Sequence, residues 1–167
     1  TLLPHLKDTA ILTSNTSGIP LKELSNSLPI KLQKRFMITH FFNPPRYMQL
    51  LELVRGNNTS DQTYQTMVHF GENILGKGIV HAKDTPNFIG NRIGVYGIMV
   101  AINLAIKYEL TIEEVDRLTG PISGRPKSAT FRTADVVGLD TLKSVSLTTY
   151  EKAVKDEERN LFQIPEV

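Results

Sequence analysis

The 167-residue sequence predicts an α/β sheet followed by a purely helical region. Three observations predict it. Short apolar runs at 11–14, 35–42, 48–54 and 79–81 have the length and composition of strands. Between the first two and between the last two, apolar residues recur at helical spacing. From Thr85 onward only helical patterns remain, and the first of them is long. A boundary near residue 84 follows, with a sheet region over 1–84 and a helical region over 85–167.

The first strand, 11–14, opens into the polar loop Ser14-Asn15-Thr16-Ser17-Gly18. A helix is expected over 20–27, with Leu21, Leu24 and Leu28 on one face. On residue type alone, Ser17 reads as a cap for that helix. Residues 35–42 form the second strand, and Asn43-Pro44-Pro45-Arg46 breaks it, because neither proline can donate to a ladder. The apolar run resumes from Met48 to Val54. A strand, a sharp turn and a returning strand bring His40 toward Glu52. A carboxylate beside an imidazole is a general-base arrangement: it fixes the tautomer, orients the ring and stabilises the protonated form.

Thr59-Ser60-Asp61-Gln62 is a helix start, with Gln62 three places after Thr59. Tyr64, Met67, Val68, Gly71, Ile74 and Leu75 then repeat at helical spacing, and Gly76 ends the run. Asp84-Thr85-Pro86 reads as a cap with proline in the first turn, opening a helix over 86–108. In that helix Gly90, Gly94, Gly97 and Ala101 form a small-residue stripe, which suggests a second backbone packed close against it. Thr111 and Glu114 form a capping box. Two more helices are expected over 128–137 and 140–155, separated by Gly138, and the charged tail is expected to fray.

Composition excludes several classes. No cysteine is present, so disulfide scaffolds, zinc–thiolate sites and thiol nucleophiles are ruled out, and a reducing cytoplasm fits. A net charge of +2 is too small to argue for nucleic acid or an anionic membrane. No apolar run has the length of a membrane span, and no metal-ligand pattern occurs. His5, His69 and His81 lack motif context, and Arg46 is read as a solvated loop residue.

The order S-N-T-S, H-F-F-N-P, L-E and D-T-P-x-F-I-x-N-R resembles the L-3-hydroxyacyl-CoA dehydrogenase family of fatty-acid β-oxidation. The likeness runs from about Thr9 to Val137-Gly138-Leu139-Asp140. From Gly124-Arg125-Pro126-Lys127 onward it is strongest toward bacterial multifunctional members with a fused enoyl-CoA hydratase. The resemblance implies the latter part of a Rossmann-type parallel-sheet, NAD-binding domain followed by an all-α C-terminal domain. It implies an NAD-dependent oxidation of 3-hydroxyacyl-CoA to 3-ketoacyl-CoA, with His40 as general base supported by Glu52. Ser17 and Asn91 are implied to hold the substrate's C3 oxygen, and Asn43 with Ser17 to touch the nicotinamide end of the cofactor. The residues alone also allow Asn43 to be a turn residue before Pro44 and Asn91 to be a polar cap.

One departure from the family pattern stands out. There is no G-x-G-x-x-G turn, and Gly76-Lys77-Gly78 lacks the third glycine. The chain is therefore expected to be a piece of a larger enzyme, inactive alone, lacking the first βαβ of its cofactor domain and the end of its helical domain. Expected partners are an acyl-CoA substrate, the N-terminal cofactor half, a fused hydratase domain or second subunit, and a second copy docking through the helical domain. Two other readings stay open: a non-catalytic packing or dimerisation module, and a hydroxy-acid dehydrogenase that does not use CoA.

Overall fold

A computed structural model describes residues 3–165. The chain forms two compact units, Thr1–Phe88 and Ile89–Val167. In the first, strands β1 (Leu12–Ser14), β2 (Phe36–Phe41), β3 (Leu50–Arg55) and β4 (Gly78–Ala82) form one sheet in the order β1-β2-β3-β4. β1 pairs with β2 and β3 with β4 in parallel, but β2 and β3 are antiparallel. The sheet is thus of mixed type. The antiparallel pair follows from the short connection, since a parallel return needs a crossover of a dozen or more residues.

Strand alternation sorts the core. Phe36, Ile38, Val54 and Ala82 face one side, where α1 (Leu21–Ser25) contributes Leu21, with Leu12, Leu24 and Leu28 packed around. Met37, Leu51 and Leu53 face the other side, against Tyr64 of α3 (Asp61–His69). Even-numbered residues of β2 and β3 therefore share the α1 face. His40 and Glu52 are both even and are direct cross-strand partners. That register makes the two side chains neighbours. A one-residue slip would put one of them on the wrong face.

Local capping differs from expectation at two places. α3 is capped by Ser60, which accepts from the Thr63 amide, and not by Thr59. Thr59 is buried and bridges instead, accepting from the Gly56 amide and donating to the Phe36 carbonyl. After α3 the backbone widens into a π-helical turn, Phe70–Ile74, before Gly76 turns the chain at φ +64°.

The Asp84-Thr85-Pro86 segment does not begin a helix. The long helix α4 spans Gly90–Lys107, and Asn87 and Phe88 before it take positive φ values of 58° and 50°. The Asp84 carboxylate instead accepts from the backbone amides of Leu21 and Lys22, at 2.8 and 3.1 Å. It caps α1 from the far end of the unit, satisfying orphan donors that Pro20 leaves open.

In the second unit, α4 packs with α5 (Ile112–Leu118), α6 (Phe131–Val137) and α7 (Leu139–Lys152). One cluster joins Val95, Met99, Ala134 and Leu142 to Phe162; another joins Ala101, Ala105 and Val115. The Thr111–Glu114 capping box is present. Asp116 caps α6 remotely, accepting from the amides of Thr130, Phe131 and Arg132. One expectation is corrected here. The tail does not fray: Phe162 is fully buried, its carbonyl accepts from Ser146 Oγ, and Arg159 lies over the Tyr150 ring. An apolar anchor past the charged stretch outweighs the entropy of the free end. At Gly94 and Gly97 of the small-residue stripe, a Cβ would reach open space among the described residues, while Ala101 packs with Ala105 and Val115.

Candidate active site

The site is built where β1 and β2 end. His40 is the fifth residue of β2, and Glu52 is the third of β3. His40 Nδ1 lies 2.7 Å from Glu52 Oε2. The histidine is 3% exposed and the glutamate 0%. With the Glu52 carboxylate as acceptor, Nδ1 is the donor. The lone pair is left on Nε2. That nitrogen lies 3.2 Å from Ser17 Oγ, whose hydroxyl donates to it. The imidazole is walled by Phe42 at 4.6 Å and Phe88 at 5.6 Å between ring centroids. These rings restrict water around the dyad and leave the Ser17 side as its polar opening.

Ser17 itself is exposed, in the loop between β1 and α1. It is not the cap of α1, a task taken by Asp84. The loop is held by its own polar residues: the Thr16 amide donates to Ser14 Oγ and the Ile19 amide to Thr16 Oγ1. Asn15 Oδ1 accepts from the Phe41 amide at 2.9 Å, one residue from His40. Asn15 thereby continues the β1–β2 ladder with a side chain after the strand has ended. The bonds of Asn15 to β2 and of Asp84 to α1 left no sign in the sequence, because an acceptor's remote partner leaves no local pattern.

Asn43 is exposed just past β2, before a cis Asn43–Pro44 peptide. Asn91 lies half-buried in the first turn of α4, in the second unit. The other histidines sit elsewhere and exposed: His69 beside Asn73, and His81 with Nδ1 2.5 Å from the Tyr64 hydroxyl. Burial raises the Tyr64 phenol above its ordinary range, with Arg55 opposing. Among the described residues no group of three His, Cys, Asp or Glu side chains could hold a metal ion. Nor, among them, is any helix long and apolar enough to cross a membrane.

Two family models divide the chain between them. Residues 1–85 match the 3-hydroxyacyl-CoA dehydrogenase NAD binding domain, and residues 88–165 match the C-terminal domain of the same enzymes. The chain belongs to the 3-hydroxyacyl-CoA dehydrogenase family. A "Probable 3-hydroxyacyl-CoA dehydrogenase" of Bacillus subtilis is 50% identical over 161 residues, which is 96% of this chain and 20% of that protein. A Rickettsia prowazekii protein named for a fatty acid oxidation complex trifunctional enzyme is 37% identical over 94% of the chain and 22% of its own length. Among solved structures, (S)-3-hydroxybutyryl-CoA dehydrogenase PaaH1 from Ralstonia eutropha is similar with a TM-score of 0.79 and 32% identity. The match covers 89% of this chain and 51% of that one. The chain thus spans a fifth to two fifths of the length of the first curated relatives it matches. Its sheet unit falls on the NAD-binding model and its helical unit on the C-terminal model, a Rossmann-like domain followed by a helical one.

Proposed function

We propose that this chain carries the catalytic dyad of an NAD-dependent L-3-hydroxyacyl-CoA dehydrogenase. The observation that carries the reading is the buried His40–Glu52 pair, whose free Nε2 points at the Ser17 hydroxyl, within a chain of this family. His40 Nε2 takes the proton of the C3 hydroxyl. Glu52, already bonded to Nδ1–H, stabilises the imidazolium so formed. Ser17 orients the C3 oxygen and supplies a hydrogen bond as charge develops there. Asn91 joins it in that task, an assignment resting on the D-T-P-x-F-I-x-N-R resemblance.

The residues present fit one end of NAD. β1 and β2 run parallel, and the segments after their carboxyl ends carry the exposed Ser17 and Asn43, as a nicotinamide-side crevice requires. NAD supplies the hydride acceptor for C3. This chain offers no glycine-rich turn for the pyrophosphate, so it binds NAD weakly by itself. Acyl-CoA is the substrate, and the reaction belongs to fatty-acid oxidation in the cytoplasm. The resemblance to multifunctional relatives supports a fused hydratase or a second subunit as partner. The exposed α4 residues Ile93 and Leu104, with Gly94 and Gly97 between them, support a second copy docking on the helical unit.

The test is reduction of NAD by the full-length protein with L-3-hydroxybutyryl-CoA, compared with free L-3-hydroxybutyrate. Turnover of the thioester alone supports the reading. No turnover of either substrate overturns it, and equal turnover of the free acid favours a hydroxy-acid dehydrogenase.

A further inference from the structure

The segment at 84–88 reaches back to the loop that bears Ser17 and to the start of α1. Asp84 receives the amides of Leu21 and Lys22, at the far end of that loop. Asn87, 1% exposed at φ 58°, brings its Oδ1 to 3.2 Å from where a Cβ on Gly18 would stand. Phe88 packs in the cluster that contains Leu21 and lies 5.6 Å from the His40 ring. The segment therefore touches the chain just after Ser17, at Gly18 and at Leu21 and Lys22, and the histidine that Ser17 faces. At the other end, Asn15 fixes the loop to Phe41 of β2. The Ser17 hydroxyl is thus suspended between two anchors, one of them supplied from more than sixty residues away.

We propose that Asp84 is a positioning residue for the reaction: its bidentate cap on α1 sets the distance between Ser17 Oγ and His40 Nε2. Two acceptor oxygens on successive amides define both the start and the direction of α1, where a single acceptor would leave rotation free. Shortening or removing that clamp lets the loop pivot about Asn15. A misplacement of about 1 Å at a substrate-orienting group costs up to roughly a hundredfold in rate. Asp116 provides an internal comparison, since it caps α6 in the same manner but in the second unit.

The inference rests on the dehydrogenase reading for its kinetic arm, and the test separates the two. In the full-length protein, Asp84→Ala should lower kcat roughly ten- to a hundredfold while KM for the acyl-CoA stays within about twofold. Asp84→Asn, which keeps one acceptor oxygen, should fall between it and wild type, and it carries the comparison if Asp84→Ala does not fold. In a Ser17→Ala background, Asp84→Ala should cost less than about twofold more, because its effect runs through the missing hydroxyl. Asp116→Ala should lower thermal stability and leave kcat unchanged. Additive losses for Asp84 and Ser17, or an equal kcat loss from Asp116→Ala, would overturn the assignment. The second readout needs no activity: the ¹⁵N shift of His40 Nε2 should move in Asp84→Ala as it does in Ser17→Ala. An unmoved shift overturns the positioning role even in an active enzyme. A moved shift in a protein without turnover upholds it while the dehydrogenase reading fails.

Discussion

His40 and His81 sit on strands of one sheet, and each holds an oxygen within 2.7 Å of its Nδ1. The likeness ends there. His40 is buried and its partner is a fully buried carboxylate, which can only accept. His81 is exposed, and its partner is the Tyr64 phenol, which can donate or accept. With the phenol as donor, the two rings hold opposite tautomers. His40 is protonated on Nδ1 and keeps its lone pair on Nε2, toward Ser17. His81 spends its Nδ1 lone pair on Tyr64 and stabilises the docking of α3 on the sheet. A histidine becomes a candidate base when its hydrogen-bond partner leaves the free nitrogen facing a reactant, and proximity to an oxygen does not decide that.

The largest effect expected is at His40. In the full-length enzyme His40→Gln should lower kcat by roughly two to four powers of ten, the usual scale for a general base. A loss of only a few-fold would put His40 on the same footing as His81. Glu52→Gln comes next, at roughly one to three powers of ten. The amide keeps the shape but removes the charge, and it can hold the imidazole in the wrong tautomer. Steady-state kinetics at saturating substrate read both. His81→Ala should leave kcat within about twofold while lowering stability by about 1 kcal/mol, the worth of an ordinary hydrogen bond. The urea midpoint measures it, and a large kinetic loss would dissolve the contrast between the two rings.

The smallest effect concerns pH. The Tyr64 phenol is raised in the folded state by burial, Arg55 opposing. Its contribution to stability is whole below the ordinary phenol value near 10 and is lost as pH rises through the raised folded value. Melting temperatures across about pH 8 to 11 should therefore fall more steeply for wild type than for Tyr64→Phe. Parallel curves would mean that the phenol is freely solvated.

The two histidines also show what was legible in the sequence. The His40–Glu52 pair was readable because a strand, a proline break and a strand fix a hairpin, and alternation then fixes the face. The capping box at Thr111 was readable because both partners lie within four residues. The Asp84 cap was not. The same Asp-Thr-Pro that would open a helix locally spends its carboxylate on α1 instead, and positive φ at Asn87 and Phe88 delays α4 to Gly90. Phe162 was missed for a similar reason. A charged stretch reads as a fraying end unless one knows that α4 and α7 leave a slot for the ring beyond it. The Tyr64–His81 bond likewise depends on how α3 lies over the sheet, which periodicity alone does not give. Short-range patterns carried the strands and the dyad; contacts across the fold carried what holds them in place.

The most direct measurement is the ¹⁵N spectrum of the histidine side chains in the full-length protein near neutral pH. The account predicts opposite tautomers: His40 protonated on Nδ1 with a bare Nε2, and His81 protonated on Nε2 with Nδ1 accepting from Tyr64. A neutral His40 carrying its proton on Nε2 would have no lone pair to offer a substrate hydroxyl, and would contradict its role as the base.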